Sequence, residues 1–115
     1  MTKYRAQVTV VDGIRFDSKK EAGRYSELKL LQRAGMITQL ELQPKYPLGT
    51  DDDPVLIRSG GYPNGRRASY IADFRYFDPN ERKTVVEDVK GMDTPLSRLK
   101  RAVVEAQYGI RIVLV

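Results

Sequence analysis

Ser69-Tyr70-Ile71-Ala72-Asp73-Phe74-Arg75-Tyr76-Phe77 and Thr84-Val85-Val86-Glu87-Asp88-Val89-Lys90 are rich in aromatic and β-branched residues. Between them Asp78-Pro79-Asn80-Glu81 is turn chemistry, so the whole stretch predicts an antiparallel pair of strands. Side chains alternate along a strand, which places Val86, Asp88 and Lys90 on one face and Glu87 on the other. Pairing Phe77 with Arg82 across the turn sets Asp73 opposite Val86, with Asp88 on the diagonal roughly 7–8 Å away. A slip of one residue would send Asp73 to the opposite face. Asp73 stands among Tyr70, Ile71, Ala72 and Phe74, where a bare carboxylate is costly unless something compensates it.

Working outward from this pair, Thr94 caps a helix with Pro95 at its first position. Leu96, Leu99, Val103 and Ala106 give that helix an apolar stripe, Gly109 ends it, and Ile110 to Val115 reads as a closing buried strand. On the amino-terminal side, Val8, Val10 and Val11, the Asp12-Gly13 turn, then Ile14 and Phe16 predict a hairpin. Ser18-Lys19-Lys20-Glu21 has the form of a capping box, and Tyr25, Leu28 and Leu31 continue a helical stripe up to Gly35. Ile37 to Leu42 reads as a strand ended by Gln43-Pro44. Gly49 to Arg67 is polar and irregular, with Asp51, Asp52, Asp53, Pro54, Gly60-Gly61, Pro63 and Asn64-Gly65. It is expected to be a surface hairpin or flexible flap with a short strand at Val55 to Ile57 and with Arg66 and Arg67 at its tip. The order helix, strand, two-stranded hairpin, helix, strand predicts an α/β domain whose mixed sheet is flanked by helices.

The 115 residues, 41% of them hydrophobic, suffice for one domain around one core. Cysteine and histidine are both absent. Zinc fingers, redox dithiols and disulfide scaffolds are excluded, as is any mechanism with imidazole as base or ligand, including HNH, HUH and RNase A-like chemistry. No apolar run approaches the ~20 residues of a membrane span, and the amino terminus lacks a signal-peptide hydrophobic region. A soluble cytoplasmic protein is expected. Twenty Lys and Arg against fifteen Asp and Glu give a formal charge of +5, which points to a polyanionic partner. The first five residues, with Lys3 and Arg5, look like a loose basic arm.

Two convergent carboxylates and a lysine suit one task. Asp73 and Asp88 would hold a hard divalent cation, Mg²⁺ or Mn²⁺, which keeps several waters and takes one or two protein carboxylates. Such an ion polarises a phosphoryl oxygen and acidifies a water, replacing a histidine base. Lys90 would orient that water or stabilise charge on phosphorus, and the Val89 carbonyl could add a backbone ligand.

Asp73 followed by Asp88-Val89-Lys90 resembles the D…(D/E)-x-K signature of the PD-(D/E)xK, or restriction-endonuclease-like, nuclease superfamily, with Ala72 in place of the signature proline. Val11 to Ala22, Leu40-x-Leu42-Gln43-Pro44, Tyr70 to Phe74 and Val86 to Gly91 together look like a phage-encoded family of small nucleases within it. The resemblance implies an αβββαβ core and a metal-dependent DNA endonuclease, structure-specific and serving phage recombination or replication by resolving branched DNA such as Holliday junctions. It also implies that Glu21, on the first core helix, completes the metal site and that Gln43 lines it. The three acids and the lysine carry a net −2, so the rest of the chain carries +7. Lys19, Lys20, Arg24, Arg66, Arg67, Arg98, Lys100 and Arg101 are the expected DNA contacts. Cutting both strands of a duplex or junction would need a homodimer, whereas a nick needs one copy.

Plainer readings stand beside these. Glu21 in a capping box needs no catalysis, and an isolated D-x-K is usually a solvated strand face. Gln43 fits a strand end, Glu87 a structural or surface position, and the helix cations an ordinary wet face. Tyr70, Tyr76 and Tyr108 fit core and rim packing. The rival function is a nuclease-like fold serving as a non-cleaving DNA-binding accessory module; a structural or protein-interaction domain is the third.

Overall fold

In the computed structural model, residues 7–91 and 93–115 are described; the basic arm with Lys3 and Arg5 lies outside them. Asp12 and Gly13 take φ of 53° and 75°. Both central residues of the turn are thus left-handed, the form that matches strand twist, and Val11 pairs with Ile14 in the hairpin β1 (Thr9–Val11) and β2 (Ile14–Phe16). Ser18 accepts a 3.1 Å hydrogen bond from the Glu21 N–H and caps α1 (Lys19–Arg33). Ala22, Tyr25 and Leu28 face inward from α1 onto Phe16, Ile37, Phe74 and Tyr76.

The central sheet has the order β10 (Ile112–Leu114), β9 (Lys83–Asp88), β8 (Phe74–Asp78), β3 (Thr38–Leu42). β10 lies parallel to β9, and the other pairs are antiparallel. α2 (Pro95–Tyr108) precedes β10, so the expected αβββαβ order and α/β class hold. A second cluster, built from Tyr46, Leu48, Ala68, Tyr70, Ala72, Val86, Val104 and Ile112, lies apart from the α1 layer. Among the described residues no helix is long and apolar enough to cross a membrane.

Several expectations need correcting. Ser69 to Phe77 is two strands, β7 (Ser69–Ile71) and β8, broken at Ala72-Asp73. Its partner breaks at the same level, into β3 and β4 (Lys45–Pro47). The pairs Leu42–Phe74 and Lys45–Ile71 keep one register across the break. Backbone bonds carry it through: the Gln43 N–H donates to the Asp73 carbonyl at 2.9 Å and the Ala72 N–H to the Pro44 carbonyl at 3.1 Å. Pro44 has no N–H to give, and Gln43 sits at φ 52°, so the ladder bends without parting.

Phe77 pairs with Thr84, not Arg82, because Arg82 adopts φ 54° inside a longer loop. A slip of two residues keeps every face, and Asp73 moves from beside Val86 to beside Asp88. The second strand ends at Asp88, but the Lys90 N–H still bonds the Val115 carbonyl at 2.8 Å. The segment after Gly49 is a ribbon, β5 (Leu56–Ser59) and β6 (Tyr62–Arg67), so Arg66 and Arg67 lie at its root and Gly60-Gly61 at its tip. β10 is an edge strand that buries Ile112 and leaves Val113 and Leu114 exposed.

The caps of α2 stand where the sequence put them: Thr94 accepts from the Ser97 N–H, and Gly109 is left-handed at φ 64°. Its buried face does not. Leu96 and Leu99 are more than half exposed, Val103 and Ala106 also face outward, and Val104 alone is fully buried. Ser97, Arg101 and Glu105 turn inward instead, each with a partner: the Thr94 hydroxyl, Asp93, and the Ile112 N–H.

Candidate functional site

The break in the sheet is where the acidic residues meet. At the bend, Asp73 exchanges hydrogen bonds with the end of β9. Its N–H donates to Asp88 Oδ1 at 2.9 Å and to the Glu87 carbonyl at 3.1 Å, while the Val89 N–H donates to Asp73 Oδ2 at 2.7 Å. Each of the two carboxylates spends one oxygen on the backbone, and the Asp73 carboxyl also meets that of Glu21.

Asp73 stands between two cavities. The larger, about 270 Å³, is lined by Asp73, Asp88, Lys90, Ser97 and Arg101 together with Val89. The smaller, about 90 Å³, holds Glu21 and Gln43 against Asp73. Glu21 reaches it from the first turn of α1, so the Ser18 cap and the site use different ends of one residue. The arrangement is two acid pairs sharing Asp73. Among the described residues no three carboxylates converge into a ready-made metal cage.

All three carboxyls hold their protons unusually well. Burial pushes Glu21 up to about 7, helped by the charge of Asp73, a hydrogen bond between the two carboxyls, and Asp17. Burial also raises Asp73, against the Val89 N–H and the Glu21 carboxyl, which pull it down. Asp88 is pushed up to about 6 by burial, against the Asp73 N–H and the charge of Arg101. No lysine or arginine among the described residues forms an ion pair with Glu21, Asp73 or Asp88. Hard oxygen donors with spare lone pairs and an unmet negative charge fit Mg²⁺ or Mn²⁺.

The basic residues divide. Lys90 is exposed at the rim, and Lys20 Nζ reaches its carbonyl at 3.1 Å, which draws the start of α1 to the site. Lys19 is exposed, Lys100 half-buried. Arg98 is exposed and hydrogen-bonds the Asp93 carbonyl at 3.1 Å. Arg101 lies in the larger cavity, its two terminal nitrogens 2.8 and 3.1 Å from the Asp93 carboxylate.

Arg24 and Arg67, also expected to contact DNA, have internal partners as well. Arg24 makes a two-pronged contact with Glu87, at 2.8 and 2.6 Å, and Arg67 binds the Leu48 and Gly49 carbonyls at 2.6 and 2.8 Å. Arg66 stacks over Tyr62 at 5.4 Å. Tyr70 and Tyr76 are buried, and Tyr108 bonds the Pro47 carbonyl at the rim, in line with packing roles.

The polar inward stripe of α2 escaped the sequence reading. Its signal was Ser97, Arg101 and Glu105 at i, i+4 and i+8, a periodicity as regular as the apolar stripe beside it. Residues 1–113 match a protein family described as of unknown function, DUF1064, and the chain belongs to that family. No curated protein and no solved structure matches it.

Proposed function

We propose that this protein is a divalent-metal-dependent endodeoxyribonuclease. One observation carries the reading: three partly buried carboxyls at a sheet break, all raised and none ion-paired, beside an exposed lysine and a cavity. A stable fold gains nothing by gathering unmet negative charge, unless a cation completes it.

Asp73 and Asp88 would hold the ion through the carboxylate oxygens that the backbone does not hold, with Glu21 on the far side of Asp73 and the Val89 carbonyl as a backbone donor. When bound, the ion supplies charge neutralisation at the scissile phosphate and an acidified water. The backbone N–H groups of Asp73 and Val89 fix the two carboxylates so that their spare oxygens need no reorganisation. Lys90, at the rim, would orient the attacking water and offset charge on phosphorus. Arg101, charged and clamped by Asp93, would receive a non-bridging phosphate oxygen.

A net charge of +5 favours a polyanionic substrate. Branched DNA of phage recombination or replication is the substrate the sequence resemblance favours. The rival accessory module is favoured by one observation, the lack of a three-carboxylate cage among the described residues.

A cleavage panel separates them. Branched and linear DNA are incubated with Mg²⁺, Mn²⁺, Ca²⁺ or chelator. Cleavage with Mg²⁺ or Mn²⁺ that chelator abolishes supports the enzyme. Metal-independent, salt-sensitive retention of intact DNA supports the module.

A further inference from the structure

We infer that the β5–β6 ribbon is an arm that grips double-helical DNA at a distance from the carboxylates; this rests on the nuclease reading. From Val55 to Arg67 the chain has no acidic residue. All four residues of β5 and four of the six in β6 are exposed. A ribbon of two strands is marginal alone and gains most from a partner that covers it.

Its side chains say which partner. Arg58 and Arg66 are exposed, and neither forms an ion pair among the described residues. Tyr62 is half exposed beneath Arg66, a pairing of flat cation and ring that suits a sugar-phosphate strand. Gly60 and Gly61 leave the backbone at the tip open to close approach. The exposed acidic run Asp51 to Asp53 lies at the root, before the ribbon begins, and Asp51 is 3.4 Å from Arg67.

Reach and continuity fit a duplex. The Leu48, Val55 and Ala68 backbones are joined by hydrogen bonds, so the ribbon springs from the strand pair that bends at Asp73. At about 3.4 Å per residue, Asp73 to Ala68 spans roughly 17 Å and the ribbon adds about 20 Å. The tip can therefore lie at most about one turn of B-DNA, roughly 34 Å, from the site. A two-stranded ribbon also has the width that the major groove admits.

The test uses Arg58→Ala/Tyr62→Ala/Arg66→Ala in the full chain, with Arg58→Glu/Arg66→Glu as a second variant. Binding of fluorescent DNA is read by anisotropy in Ca²⁺, and hydrolysis of bis(p-nitrophenyl) phosphate is followed in Mn²⁺. Thermal melting confirms folding. The triple variant should bind a duplex of about thirty base pairs at least ~10-fold more weakly, with a salt slope lower by about two. A duplex of about ten base pairs should lose less than about twofold, and phosphodiester hydrolysis should not change. Full affinity in both variants, an equal loss on single strands, or no duplex binding by the parent protein would overturn the arm. Absence of Mn²⁺-dependent hydrolysis in the parent overturns the nuclease reading instead, and the binding result then stands by itself.

Discussion

Glu87 and Asp88 are neighbours in one strand, yet they have opposite fates. Glu87 is 1% exposed and fully satisfied: Arg24 grips both of its oxygens, and the Tyr76 hydroxyl donates to one of them. Its charge is met inside the protein, and the cost appears on its partners: burial first, and then Glu87, push the Tyr76 hydroxyl well above the usual phenol range. Asp88, one residue on and facing the other way, has a single backbone N–H and a carboxyl pushed up to about 6. A buried acid with all its partners belongs to the fold. One that lacks them is where the proposed function places its cation.

The difference is sharpest under mutation. Glu87→Ala leaves half-buried Arg24 with only the exposed Glu27 beside it and Tyr76 without an acceptor, so it should cost about 3 kcal/mol, read as a lower urea midpoint. Arg24→Ala should do similar damage, and the double variant less than the sum of the two, because each single change strands the same partner. A loss below about 1 kcal/mol would mean that the pair is not structural.

Asp88→Asn should do the reverse. Cleavage should fall by about 10²–10³-fold, while stability holds or rises, since the change removes a charge the fold does not use. Lys90→Ala should fall in the same range with no change in melting. If Asp88→Asn unfolds the protein and Glu87→Ala does not, the comparison is inverted and the site lies elsewhere.

Protons sharpen it further. Glu21 moves from 4.5 to about 7 on folding and Asp88 from 3.8 to about 6, so the folded chain keeps protons that the unfolded chain has released. The stability these groups contribute is full below about pH 4 and is lost as pH rises through 6 to 7. A divalent cation binds the ionised form. Its stabilisation should be small near pH 5 and, at about 100 times its dissociation constant, about 2.7 kcal/mol near pH 8. Melting scans across pH with Mg²⁺ or chelator measure both trends, and Glu21→Gln with Asp88→Asn should flatten them. Equal Mg²⁺ effects at the two pH values would remove the ion from these carboxylates.

Local chemistry was legible in the sequence. Asp12-Gly13, the Ser18 cap, the Thr94 cap and Gly109 each act within a few residues, and each appears where its residue types require. Strand parity survived an error of two residues, which kept Asp73 and Asp88 together. What failed depends on distance. The break at Asp73 comes from bonds to residues fifteen and sixteen positions on, and Arg24 finds Glu87 across sixty-three. No periodicity encodes such meetings. α2 misled for a different reason: its apolar stripe faces outward, and its inner face is polar because it borders the cavity.

The smallest expected effect separates the two ends of Glu21. Its N–H belongs to the cap and its carboxyl to the cavity beside Asp73. Ser18→Ala removes the acceptor for that N–H and should cost about 1 kcal/mol by frayed α1, with the pH trend and the Mg²⁺ effect intact. Glu21→Gln leaves the N–H and the cap in place. It should hold stability near neutral pH and reduce Mg²⁺-dependent melting shifts and cleavage together. Only a carboxyl that serves the ion predicts this division, because a purely capping Glu21 would leave cleavage untouched in the Gln variant. Urea midpoints and cleavage rates on the two variants decide it.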